Sequence, residues 1–276
     1  MKMDIGYVCV NYNNSSYTRD AVKSLIVNRE HEFHIVVVDN KSDKANVEIL
    51  QKLQAEHTNV EIVFNETNVG YFRGLNVGIA RLKVRKPEVE FIVVGNNDLL
   101  FPADFGNSIA ENCAMLRLHP VICPDIVTLD GIHQNPHVIE RISRIRELIY
   151  DIYYSNYYAA LLIRRLAKLT ARFTDRNDET EWPVRRLIYQ GHGACYVLGP
   201  VFFRNFAELW APTFLMGEEF FLSKQLRDLG MRELYEPSIV VQHRCHAAID
   251  KIPNRRVWEF SRDAHRIYRK HVRIIG

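Results

Sequence analysis

Residues 5–15 read Ile5-Gly-Tyr-Val-Cys-Val-Asn-Tyr-Asn-Asn-Ser15, an apolar, partly β-branched run that passes directly into polar residues. The apolar part has the length of a strand, and the polar part is typical of a loop. Three further strand-like runs follow, at 34–38, 60–64 and 91–94. Segments with helical spacing of apolar residues separate them, at 16–29, 44–57 and 72–84. This alternation predicts parallel strands joined by crossover helices.

Polar residues follow three of the four predicted strands. Tyr12-Asn-Asn-Ser15 follows the first strand, Asp39-Asn-Lys-Ser42 the second, and Asn96-Asn-Asp98 the fourth. The strands themselves are almost continuously apolar, which indicates a sheet covered on both faces. Open α/β sheets bind ligands at the carboxyl ends of their strands. The sequence therefore predicts a ligand site at this edge of the sheet.

The remainder of the chain is interpreted as part of one domain spanning 1–276. We expect a nucleotide-binding half, a helical insertion, an acceptor and catalytic half, and a closing basic helix, at 1–130, 135–186, 188–245 and 254–273. The insertion lacks strand alternation and is rich in basic and aromatic residues, which predicts two or so amphipathic helices. A helix is also expected from Glu218 and a strand before His243.

Composition excludes several classes of protein. The net charge of +3 is too small to indicate a nucleic-acid-binding domain by itself. The five cysteines are scattered and include no C-x-x-C pair, which is typical of reduced thiols. No window approaches 18 uninterrupted apolar residues, and no signal peptide is recognisable at the start. We expect a cytoplasmic protein that does not bind nucleic acid.

The first candidate binding residues follow the second and third strands. Asp39 could accept the ring N–H of a uracil or thymine base, or it could order a turn or cap a helix. The stretch Asn68-Val-Gly-Tyr-Phe-Arg-Gly-Leu-Asn76 leads into a helix, and its Gly70 and Arg73 suit phosphate or ribose oxygens. A plain glycine-rich turn is the alternative.

The second group of candidates contains acidic residues and a histidine that could bind a metal or act as a general base. Asp98 at a strand end suits Mg²⁺ or Mn²⁺ that also binds a diphosphate, because such a metal needs only one or two protein carboxylates; a simple turn is the alternative. His243 could be a neutral imidazole ligand to the same metal. Glu218 and Glu219 begin a helix among phenylalanines, where apolar surroundings raise a carboxyl pKa toward that of a general base. The helix dipole alone also favours acids there.

These motifs, in this order, resemble glycosyltransferase family 2 with the GT-A fold, and more narrowly its rhamnosyltransferase-like branch. The resemblance covers about 4–130 and 188–245. It implies a mainly parallel mixed α/β sheet with flanking helices. It further implies that Asp98 is the second acid of the metal-binding Asp-x-Asp motif, that Asn96 replaces the first acid, and that His243 is a metal ligand. Glu219 stands where the family places its aspartate base.

The resemblance also implies roles for the nucleotide-binding residues. Asn11 and Asp39 would bind the base, and Arg73 and Asn76 would lie near the ribose and diphosphate. The full set expected to contact the nucleotide-sugar is Asn11, Tyr12, Asn13, Asp39, Asn68, Gly70, Arg73, Asn76 and Asn97. The implied reaction is inverting transfer of rhamnose or another hexose from a dTDP- or UDP-sugar, with Mn²⁺ or Mg²⁺ as cofactor.

The expected acceptor is a hydroxyl of a glycan or lipid-linked oligosaccharide in bacterial surface polysaccharide synthesis. Basic, aromatic segments such as Arg164-Arg165 and Arg255-Arg256 suit peripheral contact with the inner face of a membrane, solvated helix faces or a homodimer interface. The main alternative function is an inactive nucleotide-sugar-binding module. A nucleotidyltransferase ranks lower, because no phosphate-binding glycine loop follows the first strand.

Overall fold

The computed structural model describes residues 2–140, 142–174, 181–244 and 254–272. The amino-terminal half is built of alternating strands and helices, as predicted. In chain order these are β1 Asp4–Asn11, α1 Ser15–Ile26, β2 Glu32–Asp39, α2 Lys44–Glu56, β3 Val60–Phe64, α3 Tyr71–Arg85, β4 Phe91–Gly95, β5 Leu99–Leu100, α4 Phe105–Leu116 and β6 Val121–Thr128.

The carboxyl-terminal half adds two long helices before the sheet resumes. Its elements are α5 Arg144–Ser155, α6 Tyr157–Thr174, β7 Arg186–Ile188, β8 Cys195–Leu198, α7 Pro200–Asn205, α8 Glu218–Arg227, β9 Glu233–His243 and α9 Asn254–Tyr268. Two of these helices, α5 and α6, lie within the segment where amphipathic helices were expected. None of the helices in the described ranges combines the length and hydropathy needed to span a bilayer.

One mixed sheet contains all nine strands of the described residues, in the order β3-β2-β1-β4-β8-β6-β9-β5, with β7 also paired to β9. The strands β1 to β4 pair in parallel. β8 then runs antiparallel to β4 and β6. The short strands β5 and β7 also pair antiparallel, both with β9. The predicted mixed, mainly parallel α/β fold is therefore confirmed.

Strand register places the predicted polar residues side by side. Asn11 pairs with Asp39 at the ends of β1 and β2. Gly95 pairs with Cys195, so the segment that enters β8 reaches the same edge of the sheet. Leu99 pairs with His243, which brings the end of β9 beside Asp98. Residues far apart in the chain thus converge at one edge.

Two apolar clusters cover the faces of the sheet. One face packs against α1, α2 and α4 through buried residues such as Leu25, Leu50 and Phe105. The other packs against α3, α7 and α8 through Phe72, Phe202 and others. Burying both faces explains why the strands are apolar throughout rather than alternating.

Gly70 marks a close approach between the start of α3 and the segment before α8. It has φ of +92°, a region that favours glycine, and a Cβ added there would lie 2.1 Å from the carbonyl oxygen of Phe214. The N–H of Tyr71 donates to that same carbonyl. The structure therefore requires glycine at this position for backbone packing.

We expect Gly70→Ala to lower the free energy of unfolding by about 3–5 kcal/mol, because backbone strain and a steric clash add. Gly131→Ala is the matched control. Gly131 has φ of +83° with no atom within 4 Å of its added Cβ, so only strain of about 1 kcal/mol is expected. Chemical denaturation of both variants measures the difference, and equal losses would show that the Phe214 contact costs nothing.

Candidate functional site

Asn11 lies at the centre of a buried polar network at the end of β1. Its side chain is inaccessible to solvent, and its Nδ2 lies 2.8 Å from Asp39 Oδ1. Its Oδ1 accepts hydrogen bonds from Thr18 and Asn97. All polar atoms of Asn11 are therefore used within the protein, and its expected contact with a base would require this network to open.

Asp39 orders the turn that follows β2. It is 1% exposed, and Oδ2 accepts the N–H of Ser42 at 2.9 Å while Oδ1 accepts the Ser42 hydroxyl. The turn-forming alternative is thus present in the structure. Recognition of a uracil or thymine N–H by Asp39 stays a prediction.

Asn97 lies buried in the loop after β4. It is 5% exposed, and its Nδ2 donates to Asn14 Oδ1 and Thr18 Oγ1, both at 2.7 Å. These contacts tie the loop after β4 to the start of α1. Contact between Asn97 and a nucleotide-sugar stays a prediction, and it would compete with these hydrogen bonds.

Polar residues of the glycine loop and of α3 bond to protein groups, and those of α3 contact residues 209–211. Asn68 Oδ1 accepts the N–H of Gly70 at 3.0 Å. Asn76 exchanges two hydrogen bonds with the backbone of Leu209, at 2.8 and 2.9 Å. Arg73 Nε donates to the carbonyl of Ala211. Both ends of the Asn76 amide are therefore engaged by Leu209, and its expected place near the ribose and diphosphate stays a prediction.

Two predicted nucleotide ligands lie in the loop after β1. Asn13 has φ of +53°, donates its N–H to Ser42 Oγ and accepts the N–H of Asp43. Tyr12 is 47% exposed, so its ring can meet a ligand without rearrangement. Tyr12 is thus far more accessible than Asn11 and Asp39, the two residues expected to bind the base.

Asp98 and His243 lie together as the metal prediction requires. Asp98 Oδ1 is 3.2 Å from His243 Nε2, and both side chains are almost fully buried. Gln134 Oε1 lies 2.7 Å from His243 Nδ1. Gln134 can therefore accept a hydrogen bond from Nδ1, and Nε2 is the ring nitrogen on the side of Asp98. A histidine held by a second residue on its other nitrogen is the usual arrangement at metal sites.

The donor atoms fit a divalent cation that is shared with a diphosphate. One carboxylate and one imidazole leave most coordination positions for phosphate oxygens and water. Asn96 stands in place of a first acid, and its Nδ2 lies 3.3 Å from His243 Nε2. Asp98 and His243 would therefore hold Mn²⁺ or Mg²⁺ most firmly together with its nucleotide.

A second group of metal-type donors lies at the opposite edge of the sheet. Asp4, Glu32 and His34 place one ligand atom each within 4.8 Å of one another. His34 already lies 2.7 Å from Asp4, and Lys2 pairs with Glu32. These contacts satisfy the cluster internally, and it is distant from the predicted site.

Glu218 and Glu219 begin α8 directly after Gly217, which has a left-handed conformation. Glu218 is 7% exposed, and its Oε1 has no hydrogen-bond partner among the described residues. Burial, and next the charge of Glu219, raise the pKa of Glu218 to about 8. Burial likewise raises the pKa of Glu219. The apolar setting predicted for these acids is confirmed by the packing of Phe220 and Phe221.

The segment before β8 connects the two acidic groups and was missed from sequence. Gly193 donates its N–H to Glu219 Oε1 at 3.2 Å and accepts the hydroxyl of Tyr71. Ala194 accepts the N–H of Asn96 through its carbonyl oxygen. The ring of His192 lies 6.1 Å from that of His243, centroid to centroid. The Gly-His-Gly sequence before a strand is the signal that could have identified this segment.

The raised pKa of Glu218 predicts a pH-dependent stability. Between the ordinary glutamate value and about 8, the folded protein keeps a proton that the unfolded chain has released, so stability falls as pH rises through this window. We expect Glu218→Gln to stabilise the protein by an amount on the order of 2–4 kcal/mol at pH 8 and by almost nothing near pH 4. Denaturation at both pH values tests this, with exposed Glu111→Gln as control; an equal effect at both would contradict it.

Part of the chain matches a known protein family. Residues 8–113 match the family described as Glycosyl transferase family 2, which confirms the predicted resemblance for that part of the chain. No curated protein matches the chain.

Solved structures share the fold at low identity. S. aureus TarS 1–349 in complex with UDP-GlcNAc has a TM-score of 0.58 at 13% identity, over 91% of this chain and 62% of that one. The Pyrobaculum calidifontis mannosyltransferase PcManGT, with GDP-Man and Mn²⁺, has a TM-score of 0.52 at 12% identity, over 90% and 59%. GalNAc-T7 with UDP, GalNAc and Mn²⁺ has 0.53 at 12%, over 88% and 44%. The chain thus spans about 60% or less of the length of these structures.

Proposed function

We propose that this protein is a metal-dependent, inverting hexosyltransferase. The premise is that residues 8–113 match glycosyltransferase family 2, on a GT-A fold. Its donor would be a dTDP- or UDP-sugar carrying rhamnose or another hexose. The acceptor would be a hydroxyl of a glycan or lipid-linked oligosaccharide in bacterial surface polysaccharide synthesis. The observation that carries the proposal is that Asp98 and His243 lie together beside His192, while Glu219 accepts the N–H of the next residue, Gly193.

The donor site lies at the carboxyl ends of β1, β2 and β4. Tyr12 offers an exposed ring beside this edge, and Asp39 lies one strand further along. Asp98 and His243 would hold the cation, which neutralises charge that grows on the leaving diphosphate. The solved relatives named above contain UDP-GlcNAc, GDP-Man or UDP, and a pyrimidine donor is our choice because Asp39 suits a uracil or thymine N–H.

Glu219 is our proposed general base. It is partly exposed, whereas Glu218 is buried, so Glu219 can reach an acceptor hydroxyl. The N–H of Gly193 holds one carboxylate oxygen and leaves the other for the proton that the acceptor loses. Glu218, largely protonated near neutral pH, limits the negative charge beside the base. The attacking oxygen then displaces the diphosphate in line, with no covalent intermediate.

An inactive nucleotide-sugar-binding module is the second candidate. Asn96 in place of the first metal-binding acid favours it, because one negative charge fewer weakens the hold on a cation. Such a module would bind the donor without breaking its glycosidic bond.

Release of UDP or dTDP from a panel of nucleotide-sugars distinguishes the two candidates. The protein is incubated with each sugar, with and without Mn²⁺ and with lipid-linked or free oligosaccharide acceptors. We expect Mn²⁺-dependent release that an acceptor accelerates. Binding without release under every combination would support the inactive module.

A further inference from the structure

The helices α5 and α6 leave an apolar face uncovered. Within α5, apolar residues recur at i, i+3, i+4 and i+7 and are 43–75% exposed: Ile145, Leu148, Ile149 and Ile152. In α6, Tyr158 and Leu162 are 75% and 59% exposed, one helical turn apart. Other exposed apolar side chains, such as Val84 and Leu118, are scattered singly. A contiguous exposed apolar stripe of this kind marks an interaction surface.

The charged side chains of residues 144–166 divide into exposed arginines and acids that are paired with α9. Arg144, Arg164 and Arg165 are exposed. The acids of residues 144–166 are Glu147 and Asp151, and both are directed to α9. Glu147 pairs with Arg269 at 3.0 Å and accepts the hydroxyl of Tyr268. Asp151 contacts His265 at 2.8 Å and Arg269. The outer face therefore combines apolar and cationic groups.

The expected role of α9 changes accordingly. Its aromatic residues are used in packing: Trp258 is 5% exposed and donates to the carbonyl of Tyr153. Its own exposed side chains mix basic residues with Asp263 and include no large apolar group among residues 255–272. The helix α9 thus packs on the inner side of α5, and the exposed apolar surface belongs to α5 and α6.

We propose that this α5–α6 face docks on an anionic membrane surface. Apolar side chains flanked by arginine suit the boundary between lipid headgroups and acyl chains, and each arginine gains from anionic lipid. A second copy of the chain suits the face less well. A two-fold symmetric interface would bring the same arginines near one another, and the two acids of residues 144–166 are already paired with α9.

Docking in this way would bring the candidate active site near the membrane. The helix α9, on which α5 packs, also contacts α8: Tyr268 lies 4.3 Å from Phe220, centroid to centroid. Ala264 of α9 lies beside Gly217, the residue before Glu218. The face is thus one helix layer from the proposed base. A lipid-linked acceptor is the substrate class that this placement favours, and that consequence rests on the proposed transferase function.

Vesicle co-sedimentation of the full chain tests the docking. We expect binding to phosphatidylcholine vesicles that contain phosphatidylglycerol, weak binding to phosphatidylcholine alone, and release by high salt. Arg144→Glu with Arg165→Glu should weaken binding at least about 25-fold, because each lost cation alone is worth about fivefold. Leu148→Ser with Ile152→Ser should weaken it about tenfold or more.

Matched controls place equivalent changes elsewhere on the surface. Val84→Ser with Leu118→Ser, and Lys44→Glu with Lys52→Glu, remove exposed apolar or cationic groups from other helices or loops and should leave vesicle binding almost unchanged. Equal binding by face and control variants would overturn the proposal. Absence of vesicle binding would also overturn it. If light scattering then shows a dimer, and Leu148→Ser with Ile152→Ser disrupts that dimer, the face belongs to a contact with a second copy. Binding of UDP or dTDP, measured in parallel, reports separately on the transferase proposal.

Discussion

Glu219→Gln is expected to reduce the rate of sugar transfer by about 10²–10⁴-fold, the usual contribution of a general base. Glutamine keeps the size of the side chain and can still accept the Gly193 N–H, but it cannot take the acceptor proton. The binding of donor should change little, because the base acts on the acceptor. Turnover and donor affinity measured on the same preparation therefore separate loss of chemistry from loss of fold.

Glu218→Gln supplies the internal comparison. Glu218 is buried and holds its proton near neutral pH, so the neutral amide reproduces its charge. We expect a much smaller loss of rate than for Glu219→Gln, together with the gain in stability at pH 8 described above. A larger loss for Glu218→Gln than for Glu219→Gln would reverse the assignment of the base. Glu111→Gln, on the exposed surface of α4, should retain the wild-type rate.

Asp98→Ala and His243→Ala are expected to reduce Mn²⁺-dependent turnover by about 100-fold or more, since each removes one of the two protein ligands proposed for the cation. The concentration of Mn²⁺ that gives half-maximal turnover should rise in both variants. Gln134→Leu should cost about 10–100-fold in metal affinity, because Gln134 holds the other ring nitrogen of His243.

The control for this prediction lies at the opposite edge of the sheet. Asp4→Asn alters the cluster of Asp4, Glu32 and His34, where three metal-type donors also meet. If the cation acts beside Asp98, Asp4→Asn leaves the Mn²⁺ dependence unchanged. A shift in Mn²⁺ dependence with Asp4→Asn and none with Asp98→Ala would contradict the proposed site and place the metal at the cluster around Asp4.

The fold could be predicted from sequence because each apolar run forms a strand, and the polar residues after it form the loop at the carboxyl end of that strand. The predicted strand at 60–64 matches β3 to the residue, and α2 ends one residue before its predicted end. The elements α4, β6 and the short strands β5 and β7 were not identified individually. Two-residue β5, for example, is defined by its pairing with β9, which no local pattern reveals.

The proximity of Asp98 and His243 could be predicted from the sequence, whereas the hydrogen-bond partners of the asparagine side chains could not. Asp98 and His243 meet because Leu99 and His243 pair across strands, as the family resemblance implied. Asn76 and Asn97 carry residue types suited to binding a nucleotide, and in the structure their amides bond to protein groups, so their nucleotide contacts stay predictions. An asparagine beside a ligand and one that holds a loop have the same local sequence, so only the long-range contacts distinguish them.

Isothermal titration of UDP, dTDP, GDP and ADP, with and without Mn²⁺, tests the central claim most directly. We predict that UDP or dTDP binds wild type only when Mn²⁺ is present, and that Asp98→Ala abolishes this binding while Asp4→Asn preserves it. Absence of binding for all four nucleotides would contradict the transferase account and leave only the fold established.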